Sequence, residues 1–414
     1  MTEPSRAAPA QVAFAALRHG SFRAYFATSA AAMMADNVEH VISYWVMFQK
    51  FHSPALAGFA VLTHWLPFLL FSVYFGALAD RYDCRRIIQF ALLLFMGVSL
   101  AWGLLFLTDT IEMWHAMVLL TVHGMAGVIW GPASQLLIHD IVGSEELQSA
   151  IRLNATGRYL GLLMGPAVGG GLMLALGPPA GLLANALIYL PLFLWLWKIP
   201  NDGHRRQERG RQRRAAGLAD TVALLREVSG NRTIFSMILL AGVSSLFVGN
   251  AFQAQMPEYA HDLGTDEAGV RYTILLGANA AGALAGGLVL ESRGLLQARP
   301  QTAIVFTVLW CLVVTGFAAA TNYPLAVALM FVAGFLNLAF SAMSQTLVQV
   351  HAPAQLRGRL IGLYNTANSG MRAFSGLTVG VLGSLIGVHW SLALSALALL
   401  AATLVLWAFS MRTN

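Results

Sequence analysis

The stretch MMADNVEHVISYW, residues 33–45, places two carboxylates and an imidazole in an otherwise apolar part of the chain. Asp36, Glu39 and His40 are spaced i, i+3 and i+4, so in a helix they project from one face. Buried carboxylates beside an imidazole can load and release a proton, as an ion-coupled transporter requires. Asp36 and His40, one helical turn apart, can also ligate a divalent metal ion. A third, structural interpretation is that these carboxylates neutralise Arg158 or Arg372.

The composition indicates which elements must hold these side chains. The chain has 414 residues, of which 57% are hydrophobic and only 11% are charged. A soluble domain carries about 25% charged residues, so this chain has too little polar surface for a soluble fold. Its last segment, 390–409, has no charge at all, and about 20 apolar residues are enough to cross a bilayer. We therefore predict an all-helical integral membrane protein.

Apolar stretches separated by short polar breaks predict twelve transmembrane helices. Of the 25 Lys and Arg residues, 21 lie on the side that holds both termini, which predicts cytosolic termini and a multi-pass protein of the bacterial cytoplasmic membrane. The predicted spans are 22–48, 54–79, 86–108, 113–139, 148–172, 177–198, 233–257, 267–290, 300–320, 323–348, 358–384 and 389–410.

The two halves of the sequence resemble each other weakly. GALADRYDCRR, from Gly76, aligns with the segment from Gly287 at an offset of 211; SQLL and SQTL are 210 apart, and NATGR and NSGMR are 214 apart. Agreement in order and offset predicts two pseudo-symmetric six-helix halves, 1–200 and 233–414, joined by a cytosolic basic linker, 201–232. We expect this linker to lie near anionic lipid headgroups and not to bind nucleic acid.

The loop GALADRYDCRR is similar to the signature between helices 2 and 3 of the major facilitator superfamily. Asp83 replaces the usual second glycine of that signature. The resemblance implies alternating access by rocking of the two halves, with Asp80 latching the cytosolic side against the start of helix 11, near Arg357 and Arg359. The residues of this predicted gating loop are Gly76, Asp80, Arg81 and Arg85.

The stretch GLLMGPAVGG resembles the helix-5 motif that marks exporting antiporters of this superfamily. All five motif positions match: Gly161, Gly165, Pro166, Gly169 and Gly170. Small residues there let two helix backbones approach closely, and the proline permits a kink. The whole chain is similar to the enterobactin-exporter and macrolide-efflux branch. One departure is that the helix-4 arginine of many drug–proton antiporters is missing, and His123 lies near its place.

The resemblance implies a secondary transporter that exports a small organic compound, a siderophore or an amphipathic drug, in exchange for protons. The alternative is a divalent-metal exporter like ferroportin, using Asp36 and His40. HExxH, GxSxG and Walker sequences are absent, so we expect neither an enzyme nor an ATP-driven pump, and we expect no cofactor. We expect a monomer whose partners are its substrate, protons and lipids. The candidate proton-coupling or substrate residues are Asp36, Glu39, His40, His123, Arg158 and Arg372, with Asn250, Gln253, Asn337 and Gln345 as further cavity candidates.

Overall fold

The structure is a computed structural model. It describes residues 14–204, 224, 226, 228–264, 269–293, 299–353 and 356–411. Over these residues the chain is helical, and no strand occurs among them. Most of the predicted basic linker lies outside the described residues.

Twelve helices of membrane-spanning length follow one another along the chain, as predicted. Ten are long and apolar enough to cross a bilayer; α1 and α8 fall outside this set, and α1 carries Asp36 and Glu39 near its middle. The helices are α1 Gly20–Phe51, α2 Pro54–Ala79, α3 Cys84–Leu107, α4 Met113–Gly143, α5 Glu145–Leu176, α6 Pro178–Lys198, α7 Arg232–Ala254 with a short continuation Met256–Asp262, α8 Val270–Arg293, α9 Pro300–Ala318, α10 Tyr323–His351, α11 Leu360–Ile386 and α12 Val388–Met411.

Local chemistry sets several of the helix ends. Ser53 accepts a hydrogen bond from the Leu56 backbone N–H and precedes Pro54, a favourable pair for starting α2. Gly143 has φ 76°, which glycine adopts at no steric cost, and this residue separates α4 from α5. Gly387 has φ 88° and makes the turn between α11 and α12.

Helix α11 departs from regular α-helical geometry. It contains two π-helical segments, Thr366–Gly370 and Gly376–Val381, with the turn Arg372–Ser375 between them. Such segments are rare and occur frequently at functional sites. Arg372 therefore stands on a locally rewound stretch of an otherwise apolar helix.

Three apolar cores show how the halves meet. One core combines both halves, through residues such as Trp45 and Trp102 from the first and Tyr259 and Phe317 from the second. The other two cores each belong to one half, 16–199 and 224–407. We call the end with the shared core, which carries the turns at Ser53, Gly177 and Gly387, the closed end. At the opposite end, where α1 begins and α12 ends, the described halves have separate cores.

Close backbone approach holds the closed end together. A Cβ added to Gly58 of α2 would overlap the backbone of α11 at Gly376 and Gly380. Between α8 and α1, Tyr272 donates its hydroxyl to the carbonyl of Val41 at 2.9 Å, and its ring stacks on Trp45 with centroids 5.6 Å apart. The two halves thus meet tightly on one side only.

Candidate functional site

The glycines of the predicted helix-5 motif position the charged segment of α1. A Cβ on Gly161 would lie 2.8 Å from the Met34 nitrogen, and one on Gly169 would lie 3.1 Å from the Cβ of Val41. Gly165 packs directly against Asn37 between them. The absence of side chains on this face of α5 lets α1 approach closely, which fixes Asp36 and Glu39 inside the first half.

Asp36 and Glu39 both contact His123 of α4. His123 Nδ1 lies 2.7 Å from Glu39 Oε1 with hydrogen-bond geometry, and Nε2 lies 2.9 Å from Asp36 Oδ1. All three residues are buried, with 8% of Asp36, 2% of Glu39 and 4% of His123 exposed. We call these three residues the carboxylate–imidazole cluster.

The structural interpretation, in which Arg158 or Arg372 neutralises the carboxylates, is not what the structure shows. Arg158 is exposed, and the Arg372 guanidinium lies over the ring of Trp65 at 5.0 Å. The carboxylates are partnered by His123 instead. The sequence had placed Asp36, Glu39 and His123 among the candidate residues, and the structure brings these three together.

Two neutral side chains extend the cluster. Ser99 of α3 donates a hydrogen bond to Glu39. Asn185 of α6 in turn donates to Ser99 Oγ at 3.0 Å and to the carbonyl of Ala35 at 3.0 Å. Ser99 and Asn185 are not predictable as site residues from the sequence, because single Ser and Asn residues in apolar helices are common bridges between helices.

Two further histidines lie beside the cluster. The ring of His40 is 4.7 Å from that of His123 and 4.8 Å from that of His64, between centroids. His40 Nδ1 is held 2.7 Å from the Asp36 carbonyl. His64 was missed from the sequence; its only signal there is a lone imidazole inside the apolar helix α2.

These histidines form a candidate metal-binding group. One ring nitrogen from each of His40, His64 and His123 lies within 4.8 Å of those of the other two. His64 Nδ1 is buried and makes no hydrogen bond within the described chain, whereas His123 Nε2 lies 2.9 Å from Asp36 Oδ1 without hydrogen-bond geometry. Imidazole nitrogens suit zinc, copper, iron and nickel, so the group fits a transition metal better than calcium or magnesium.

The cluster brings two carboxylates and an imidazole within reach of one proton. A neutral imidazole carries one N–H, whereas both nitrogens of His123 face carboxylate oxygens at 2.9 Å or less. Two anionic carboxylates beside one neutral ring would leave one of these close contacts without a hydrogen. An additional proton on His123 would give both carboxylates a cationic partner.

A second polar region lies in the other half. Asn250 and Asn337, both predicted, line a cavity together with Arg372. Gln253 and Gln345 are partly buried but are not among the residues that line it. Arg372 also donates from Nε to the carbonyl of Asn368 at 3.1 Å.

The predicted gating loop lies at the end opposite the closed end. Asp83 accepts hydrogen bonds from the backbone and guanidinium of Arg85, and Arg85 donates to the carbonyl of Ile199 at 2.7 Å. Burial alone would raise the pKa of Asp83, but these bonds to Arg85 outweigh it and hold the pKa below its usual value. Gly76 lies in the last turn of α2, and Asp80 and Arg81 are exposed. The side chains of Arg357 and Arg359 lie outside the described residues, so the predicted latch stays a prediction.

The described helices superpose on those of solved membrane transporters. A bacterial homologue of the human lysosomal transporter Spinster superposes with a TM-score of 0.74 at 13% identity, over 95% of this chain and 96% of that chain. The nucleoside transporter NupG superposes with a TM-score of 0.70 at 14% identity, over 94% and 99% of the two chains. This protein therefore has the major facilitator fold.

The particular branch follows from sequence comparison. Residues 11–414 match the transmembrane secretion effector family, and the chain belongs to this family. It is 22% identical to macrolide efflux protein A of Streptococcus pyogenes over 378 residues, 90% of this chain and 91% of that protein. It is 23% identical to the staphyloferrin A transporter of Staphylococcus aureus over 189 residues, 44% of this chain and about half, 48%, of that transporter. The protein is thus a transporter of the efflux type.

Proposed function

We propose that this protein exports a small organic compound, a siderophore or an amphipathic drug, in exchange for protons. The observation that carries the proposal is the carboxylate–imidazole cluster, in which two buried carboxylates lie within 2.9 Å of one imidazole. Ionisable groups inside a membrane are costly and are characteristic of proton relays. The protein would work as a monomer in the bacterial cytoplasmic membrane, with both termini in the cytosol.

Neighbouring groups give the cluster a route for protons. His40 and His64 are partly exposed, while His123 is buried against both carboxylates. An imidazole can accept a proton on one nitrogen and release it from the other, which suits a relay. The proposed path leads through His64 or His40 to His123, and from there to Asp36 or Glu39.

The shape of the molecule supports alternating access. The closed end is joined through Gly58 of α2 and Gly376 of α11, whereas the opposite end has a separate core in each half. Transport would require the contact at the closed end to separate while the opposite end closes. The exposed Asp80 is the proposed latch at that opposite end.

The test separates coupling from substrate binding. Purified protein is reconstituted in proteoliposomes, and uptake of erythromycin and of enterobactin is measured both under a pH gradient and as exchange at equal pH. We expect Asp36→Asn with Glu39→Gln to abolish gradient-driven uptake while exchange persists. Asp109→Asn, an exposed carboxylate paired with Lys50, is the matched control. Full gradient-driven uptake in the double variant would refute the proposal.

The three-histidine group favours a second candidate function, export of a divalent metal ion as the substrate. In this case His40, His64 and His123 would hold the ion, and Asp36 would assist. The same proteoliposomes are loaded with a zinc-sensitive dye to compare the two functions. Zinc transport that is lost in His64→Gln, without transport of either organic compound, would favour the metal exporter.

A further inference from the structure

The second half contains a cavity whose polar groups are mostly hydrogen-bond donors. Its inner space is about 20 Å³, and about 270 Å³ lies within its lining when the open space at its mouth is counted. Its lining comes from α7, α9, α10 and α11, and ten residues form it: Ser244, Ser245, Gly249, Asn250, Trp310, Asn337, Phe340, Ser341, Asn368 and Arg372. We call it the Arg372 cavity.

Two donors in its wall have no protein partner. Trp310 Nε1 and Ser244 Oγ are buried and make no hydrogen bond to any described residue. Only 1% of Trp310 and 2% of Ser244 is exposed. Buried polar groups in folded proteins are almost always paired, so an unpaired indole N–H and an unpaired hydroxyl in one cavity indicate a missing acceptor.

The charge of the cavity identifies the kind of acceptor. Arg372 supplies a guanidinium, which stays protonated in proteins and has no acceptor atom. The ten lining residues include no carboxylate. The side-chain amides of Asn250 and Asn337 make no hydrogen bond to the described part of the chain, so their N–H groups add further donors. A single positive charge among neutral donors is complementary to an anionic oxygen group.

We infer that the Arg372 cavity binds an anionic oxygen group of the exported compound, a carboxylate or a catecholate. The inference rests on the proposed export function and narrows its substrate from any small organic compound to an acidic one. Arg372 would bind two oxygens through its planar fork, and Trp310 and Ser244 would donate to them. A basic amphipathic drug carries a charge of the same sign as Arg372 and is therefore disfavoured.

The position of Arg372 agrees with a substrate-binding role. Its guanidinium lies 5.0 Å from the ring centroid of Trp65 in the first half, and Trp65 stands 4.8 Å from the ring of His64. A compound bound at Arg372 would therefore lie near both halves, next to the residues proposed to carry protons. Movement of the halves would change the surroundings of the bound group.

The experiment measures binding without any gradient. Purified protein in detergent is titrated with citrate, 2,3-dihydroxybenzoate and erythromycin, and the rise in melting temperature reports binding. We expect at least one of the two anions to bind the unaltered protein, and erythromycin, which carries no anionic group, to give no rise that depends on Arg372. Arg372→Gln should weaken anion binding by more than about tenfold, because a charged hydrogen bond is lost.

Two milder variants keep the test informative if Arg372→Gln does not fold. Trp310→Phe keeps the ring and removes only the N–H, and Arg372→Lys keeps the charge and removes the fork; each should weaken anion binding several-fold. Arg271→Gln, far from the cavity on the closed-end side of α8, is the matched control and should bind as the unaltered protein does. If neither anion binds, or if Arg372→Gln and Trp310→Phe bind an anion unchanged, the donors are satisfied by water and the inference is wrong. Anion binding that depends on Arg372 without proton-driven transport would refute only the coupling proposal.

Discussion

The two halves of the molecule share a packing scheme but differ in their polar contents. In the first half, a Cβ on Gly124 of α4 would overlap the carbonyl of Thr63 on α2. In the second half, a Cβ on Gly334 of α10 would overlap the carbonyl of Asn279 on α8. The two glycines are 210 residues apart, the offset that the sequence repeat predicts.

The interior polar groups do not follow this repeat. The first half buries two carboxylates whose partners are all protein groups, His123 and Ser99 among them. The second half buries donors around Arg372 that lack protein partners, Trp310 and Ser244. Close helix packing is a requirement of the scaffold and is therefore repeated. In the proposed mechanism, the first half therefore carries protons and the second half binds the substrate.

The largest effect should come from removing the shared partner in the first half. His123→Leu would leave Asp36 and Glu39 buried without their cation, which typically costs about 3–5 kcal/mol. Partial protonation of the carboxylates would relieve some of this cost. Unfolding of the purified protein in detergent measures the loss, and the triple variant with Asp36→Asn and Glu39→Gln should regain most of the stability. A stable His123→Leu single variant would show that the carboxylates do not depend on this ring.

The repeated glycines should give equal effects in the two halves. Gly124→Ala and Gly334→Ala each place a methyl group against a backbone carbonyl, and overpacking of this kind costs about 1–3 kcal/mol. Melting temperatures of the two variants should fall by similar amounts. Gly277→Ala, where an added Cβ meets nothing within 4 Å, is the control and should change little. A large fall in melting temperature for only one of the two variants would show that the two glycines are not structurally equivalent.

The scaffold was predictable from the sequence to a larger extent than the site. Helix number, the glycine motif and the common helix face of Asp36, Glu39 and His40 depend on local spacing and on a recognisable motif, which a single sequence displays. His64, Ser99 and Asn185 were missed because their roles depend on which helices face each other, and a single polar residue in an apolar helix does not reveal this. Gln253 and Gln345 were selected on residue type alone, and their place in a transport cavity stays a prediction.

Two serines distinguish the polar regions further. Ser99 donates to the buried carboxylate of Glu39, whereas Ser244 has no partner within the described chain. Ser99→Ala should cost about 1.5–3 kcal/mol, since a hydrogen bond to a charged group is lost. Ser244→Ala should be nearly neutral, because it removes an unpaired hydroxyl. Equal losses in the two variants, measured by chemical unfolding, would mean that Ser244 is paired in solution and would weaken the contrast between the halves.

The smallest effect concerns the gating loop, where the halves also differ: Asp83 aligns with Gly294 at the offset of 211. Asp83 caps α3 by accepting from the backbone N–H of Arg85, so Asp83→Ala should cost about 1 kcal/mol at pH 7. Because the pKa of Asp83 is lowered in the folded protein, its charge stabilises the fold above the unfolded value of about 3.9. That contribution disappears as the pH falls through the lowered folded pKa.

The difference in melting temperature between the unaltered protein and Asp83→Ala should therefore stay constant from pH 7 to pH 5 and shrink only below about pH 4. A difference that shrinks between pH 7 and pH 5 would show that Asp83 is not held by Arg85, and that this loop is ordered by other contacts.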